Sequence, residues 1–148
     1  MRELGLTMHL LFFRVEHWTH SPCRGYSVHQ FSTHMHEVGI MESTIEVVLR
    51  QAGQHRASRV HRIVLRIGAL AGVEPESLRF AFDAVTRGTI AAGSELDIEA
   101  VPAKAYCSDC AKDFSVERGF IFTCPECNQL SGELRQGKEL ELIRIEMT

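Results

Sequence analysis

The sequence predicts an α+β fold: two helices packed on a small three-stranded sheet, with a zinc-ribbon module inserted before the last strand. Three observations carry that prediction. Apolar residues recur at helical spacing in two segments, they alternate with polar ones in three others, and two Cys-x-x-Cys pairs stand close together between Cys107 and Cys127. Helices and strands that are each apolar on one side can bury one another as a two-layer domain. A chain of 148 residues has room for one such domain and a small module.

Residues 1–34 are expected to be an unstructured extension, or to precede the true translation start. The apolar stretch at residues 10–13 is stopped by Arg14 and Glu16, and no small-residue cleavage site follows, so it does not read as a secretory signal. Trp18 and Cys23 lie here among the turn signals Ser21-Pro22 and Arg24-Gly25. The histidines His9, His17, His20, His29 and His34 suggest a metal-loading tail. They share no ligand spacing such as i, i+4, which favours the extension.

From His36 to Arg56 the pattern is helical. Met41, Ile45, Val48, Leu49 and Ala52 make one face, with Glu42, Glu46 and Arg50 off it. Gly53 and the polar Gln54-His55-Arg56 end it. Residues 60–67 then switch to period two, with Ile63, Leu65 and Ile67 on one side and Arg62, Val64 and Arg66 on the other. Gly68, Gly72 and Pro75 interrupt that strand, and Pro75 suits the first turn of a second helix. Its stripe is Leu78, Ala81, Phe82 and Val85, closed by Gly88. Leu96, Ile98 and Ala100 alternate with Glu95, Asp97 and Glu99 until Pro102 stops the strand. Residues 140–147 form a third strand whose alternation slips at Leu142-Ile143, predicting a bulge. The α+β domain therefore takes residues 35–102 with 138–148, and the zinc ribbon residues 103–137.

Cys107-Ser108-Asp109-Cys110 and Cys124-Pro125-Glu126-Cys127 are separated by thirteen residues. A two-residue gap lets one tight turn aim both sulfurs at a single ion, and two such turns complete a tetrahedron. Zn(2+) suits four thiolates, because it has no redox chemistry and tolerates soft ligands. Between the pairs, Phe114 and Val116, then Phe120 and Phe122, flank Glu117-Arg118-Gly119 and predict a hairpin. A redox dithiol wants one such pair in a βαβ context, and disulfides want a secretory signal. Four protein ligands leave no open position, so this zinc is structural.

Lys plus Arg number 16 and Asp plus Glu 19, a net charge of −3, which weighs against phosphate-backbone binding. Within the ribbon, Asp109, Asp113, Glu117 and Glu126 outnumber Lys112 and Arg118. The rival reading, a zinc-ribbon adaptor for nucleic acid or protein, loses its nucleic-acid half to that balance. No apolar run approaches the ~20 residues of a membrane span, so a soluble, cytoplasmic protein is expected. Neither a G-x-x-x-x-G-K-[ST] loop nor H-E-x-x-H occurs, and an enzyme is not expected.

Met35-His36-Glu37 at the head of a helix, then Arg66-Ile67-Gly68, Glu74, Phe82-Asp83 and the paired cysteines, form an ordered set. From Met35 to the C-terminus the chain resembles the hydrogenase nickel-incorporation accessory proteins, the HypA/HybF family. The resemblance implies a metallochaperone that carries Ni(2+) to a [NiFe]-hydrogenase, with the HypB GTPase and the hydrogenase large-subunit precursor as partners. A homodimer is left open. The implied nickel residues are His36 and Glu37, with Glu74 after the first strand, and the amine of Met35 if that residue is the true N-terminus. Amine, amide and imidazole nitrogens in fused chelate rings give the planar field that Ni(2+) accepts. As an internal residue, Met35 offers no amine.

Overall fold

A computed structural model describes residues 6–14, 34–116 and 121–148. The element order is β1 (Leu6–Arg14), α1 (His34–Gln54), β2 (Val60–Gly68), α2 (Pro75–Val85), β3 (Glu95–Val101), β4 (Lys104–Cys107), β5 (Lys112–Ser115), β6 (Phe122–Thr123), β7 (Leu130–Ser131), β8 (Glu133–Gln136) and β9 (Leu140–Met147). Among the described residues no helix is long and apolar enough to cross a membrane.

The main sheet has the order β1-β9-β2-β3. β2 and β3 are parallel, joined through α2, and β9 runs antiparallel to β2 after returning from the cysteine region. The three expected strands are all present, and the sheet gains a fourth. Leu6–Arg14, expected within an unstructured extension, pairs antiparallel with β9 as β1, from Leu6 opposite Met147 to Arg14 opposite Glu141. That correction has a simple cause: the outer edge of β9 presents unpaired backbone groups, and an extended apolar segment satisfies them. The rest of the extension, residues 1–5 and 15–33, lies outside the described residues.

α1 and α2 cover one face of this sheet. Met41, Ile45, Val48 and Ala52 from α1 and Leu78, Ala81 and Phe82 from α2 are buried with Ile63, Leu65, Ile67, Leu142, Ile145 and Met147 of the strands. Full burial of each large aliphatic side chain contributes ~1.5–3 kcal/mol before chain entropy is set against it. The expected bulge is present: Val64 pairs with Arg144 and Leu65 with Leu142, so Ile143 is the extra residue. It lets Leu142 and Ile145, three apart in sequence, both face the helices.

The opposite face carries ion pairs, Arg62 with Asp97 and Arg66 with Glu99 and Glu141 across the strands, and Arg144 with Glu146 along β9. Val64 lies on this face yet is 1% exposed, which corrects the expectation of one buried side for β2. It sits in register between Arg144 and Asp97, where the aliphatic stems of long charged side chains shield an apolar neighbour. Ala100, expected inward, is exposed near the end of the edge strand β3.

The cysteine region forms two small sheets, β5-β4-β8 and β6-β7. Its hairpins differ from the expected one. β4 pairs with β5 around Cys107 and Cys110, and β6 with β7 around Cys124 and Cys127. Each hairpin thus folds about a Cys-x-x-Cys turn, and β5 and β6, the strands expected to pair, belong to different sheets; residues 117–120 lie outside the described residues. The physical reason is that each pair of cysteines already supplies the reversal that a hairpin needs.

The connection from β8 to β9 packs tightly against the end of β2. A Cβ at Gly68 would lie 2.1 Å from the carbonyl carbon of Gly137, and Gly137 itself has φ +119°. Gly68 N–H donates to Glu139 O at 2.8 Å and Leu70 N–H to Gly137 O at 2.6 Å. Only glycine permits that approach of two backbones.

Candidate metal centres

The two hairpin turns bring all four predicted cysteines together, with their Sγ atoms within 4.8 Å of one another. Cys107 and Cys124 are buried, Cys110 and Cys127 partly so. The residue after each pair enters the left-handed region, Ala111 at φ +53° and Asn128 at φ +57°. Asn accepts that conformation readily and Ala less so, and both let the chain turn away while two sulfurs stay aimed inward. Asn128 N–H donates to Cys124 O, and Cys124 N–H to Gln129 O, each at 2.9 Å, closing the second turn.

Cys107 Sγ lies 3.5 Å from Cys127 Sγ, and Cys124 Sγ 3.9 Å from Cys110 Sγ. A disulfide needs about 2.05 Å. A tetrahedron with metal–sulfur bonds of about 2.3 Å has edges of about 3.8 Å. The observed separations bracket that edge, so the cluster has the size of a tetrathiolate metal site. Backbone N–H groups of Cys127 and Glu126 draw the Cys124 thiol down to about 7, against the effect of burial. Its hydrogen bond with Cys127, reinforced by burial, pushes Cys110 up to about 12. Thiols packed this closely resist ionising together, and a divalent cation takes the place of their protons when it binds.

The second group of predicted residues lies at the head of α1. His36 is exposed in the first turn of that helix, while Glu37 is 3% exposed. Glu74 is exposed at the N-cap position of α2, 37 residues further along the chain, and its own side chain makes no capping bond. Glu37 supplies the cap instead: its Oε1 accepts the Glu74 N–H at 3.4 Å. A carboxylate from one helix therefore rests on the positive end of the other. Its second oxygen, Oε2, is buried and has no hydrogen-bond partner among the described residues. A buried, unpaired carboxylate oxygen is costly until a cation or donor reaches it. Met35 lies inside α1, and its nitrogen belongs to a peptide bond.

The structure thus joins Glu37 to Glu74, with His36 next to Glu37 in sequence. Sequence reasoning placed Glu37 at the N-terminus of its own helix and missed its contact with the second. One signal was available: Glu is a poor N-cap residue, so a helix opening Glu74-Pro75 invites a cap from elsewhere.

Comparison with known proteins is consistent across sequence and fold. The family model described as "Hydrogenase/urease nickel incorporation, metallochaperone, hypA" matches residues 35–147. A hydrogenase maturation factor HypA of Acidithiobacillus ferrooxidans is 42% identical over 113 residues, covering 76% of this chain and 99% of that protein. The HypA of Methylocella silvestris is likewise 42% identical over 113 residues, with the same coverage of 76% and 99%. Among solved structures, the nickel metallochaperone HypA from Helicobacter pylori aligns with a TM-score of 0.51 at 22% identity, over 75% of this chain and 96% of that one. A second HypA solution structure aligns with a TM-score of 0.57 at 24% identity, over 77% and 97%. These two likenesses concern the fold. With a family model spanning the α+β sheet, the head of α1 and the cysteine cluster together, the chain belongs to the HypA family of hydrogenase/urease nickel-incorporation metallochaperones.

Proposed function

We propose that this chain carries Ni(2+) as cargo at the head of α1 for insertion into a [NiFe]-hydrogenase precursor, and holds Zn(2+) structurally in Cys107, Cys110, Cys124 and Cys127. The observation that carries the nickel half is the meeting of Glu37 with the α2 N-terminus at Glu74, beside the exposed His36. A cargo site must be reachable and easily emptied, which suits an exposed imidazole and an exposed carboxylate at two helix ends. The buried Oε2 of Glu37 adds a favourable place for positive charge. The zinc half rests on four thiols at tetrahedral spacing, a donor set that Zn(2+) prefers. The cysteine site is closed by its own ligands and leaves no open position for a substrate, which suits a structural zinc.

On this reading residues 35–102 with 138–148 form the nickel-carrying domain, and residues 103–137 the zinc ribbon. Its partners are the companion GTPase HypB and the hydrogenase large-subunit precursor, met in the cytoplasm. The planar nitrogen chelate requires a free amine at Met35, so it belongs to a chain beginning there.

The test is a nickel titration of the wild type and of His36→Ala, with zinc content measured on the same samples. The proposal expects His36→Ala to lose nickel binding and to keep one zinc and its helix signal. Equal loss of nickel and helix would make His36 a structural residue, and undiminished nickel binding would move the cargo site elsewhere.

A further inference from the structure

Lys112 follows the first cysteine pair, Glu126 lies within the second, and the two meet in space. Lys112 opens β5 two residues after Cys110, and Glu126 lies inside the second turn, between Cys124 and Cys127. Lys112 Nζ donates to both carboxylate oxygens of Glu126, each at 3.1 Å. The ammonium therefore bridges the two turns. Lys112 also stands directly opposite Cys107 in the β4–β5 register, so the two side chains leave the same face of that hairpin.

We infer that Lys112 is an outer positioning residue of the tetrathiolate centre, its charge offsetting that of the thiolates and setting how firmly the metal is held. This rests on the zinc reading above. A divalent ion bound by four thiolates leaves the centre with net negative charge, and a neighbouring cation offsets part of it by Coulomb attraction. Groups just outside the ligands commonly change metal affinity on this account. Arg135, another cation of the module, is engaged elsewhere: it pairs with Asp113 and Glu133 and lies over the Tyr106 ring at 4.4 Å. The bond to Glu126 keeps the Lys112 ammonium between the turns.

Two roles are separable. If Lys112 merely ties the turns together through Glu126, removing either partner has the same effect. If its charge acts on the thiolates, removing Glu126 frees the ammonium to lean toward them, and the two substitutions diverge.

The experiment follows zinc release from the full chain to an excess of a coloured chelator, for wild type, K112Q, K112R and E126Q, at low and high salt. K112Q is expected to release zinc about tenfold faster, with K112R close to wild type and E126Q no faster than wild type. Salt should speed release from wild type more than from K112Q, since an exposed ammonium is screened. K112R and the salt series keep the test decisive even if K112Q folds poorly. Release from K112Q at the wild-type rate, or equal acceleration in K112Q and E126Q, would overturn the inference. Metal analysis of the wild type separates the two levels: no bound zinc, with four freely reactive thiols, would defeat the zinc reading itself and the inference with it. One zinc per chain with release indifferent to Lys112 would defeat only the role given to Lys112.

Discussion

The cysteine cluster and the head of α1 solve opposite problems. In the cluster, four ligands of one kind come from two hairpin turns, with two of the sulfurs buried and all within 4.8 Å. At the head of α1, Glu37 meets the start of the second helix, and His36 and Glu74 are exposed while Glu37 is buried. A closed set of identical ligands retains an ion and stiffens the chain around it. An open, mixed set gives up an ion readily. If the head of α1 carries nickel and the cluster holds zinc, as proposed, retention and delivery share one small chain because each site's exposure is set by a different kind of element.

Substitutions can break that contrast. The largest effect is expected at the cluster: Cys110→Ser, or prolonged chelation, should remove the stoichiometric zinc and disorder the hairpins about it. Far-ultraviolet helix signal from α1 and α2 should persist, because their core contains no residue of the cluster. Metal analysis and circular dichroism on one sample check both statements. Loss of the helices along with the zinc would mean that the two regions fold as one unit.

Next comes the junction that holds them side by side. Gly68→Ala places a methyl 2.1 Å from the Gly137 carbonyl carbon, a clash with backbone that no rotamer relieves. Overpacking of this kind costs about 1–3 kcal/mol, to be read as a lower urea midpoint. An unchanged midpoint would show that the junction yields.

The α1 head should respond more gently and more specifically. Glu37→Ala removes the group resting on the α2 N-terminus and should cost about 1 kcal/mol. Glu37→Gln keeps an acceptor oxygen, so it should recover most of that stability while lowering nickel affinity. Urea unfolding and nickel titration separate the two effects, and equal stability of both variants would remove the cap from the account.

The smallest structural change with a visible readout concerns the start of the chain. A chain beginning at Met35 has a free amine and should bind Ni(2+) more tightly, with a planar-nickel band near neutral pH. In the full chain, binding should be octahedral, absent or moved to the histidines His9, His17, His20, His29 and His34. Replacing those five tells the outcomes apart. Equal affinity and equal spectra for both lengths would leave the amine without a role.

The elements of the α+β domain were legible because each shows its period locally. Pro75 opens α2 where its missing N–H is tolerated, and the broken alternation at Leu142-Ile143 marks a real bulge. Val64 was misplaced, because its burial depends on the arginines of neighbouring positions and not on its own alternation. The pairing of β5 with β6, expected across Glu117-Arg118-Gly119, is absent among the described residues for a related reason. Aromatic residues spaced for a strand say nothing of which strand they join, and β5 joined β4 while β6 joined β7.

By itself the sequence determined which sulfurs would pair within each turn, since a Cys-x-x-Cys turn fixes two sulfurs within a few residues whatever surrounds it. It determined the helices and strands through their apolar periods, which are local consequences of 3.6- and 2-residue geometry. Only the tertiary structure decided that Glu37 would cap α2, that Lys112 would bridge to Glu126, and that Gly68 would meet Gly137. It also decided that β1 would take the edge of β9. Each of these joins residues far apart in the chain, and such contacts depend on how packed layers bring distant backbone together, which no local pattern encodes.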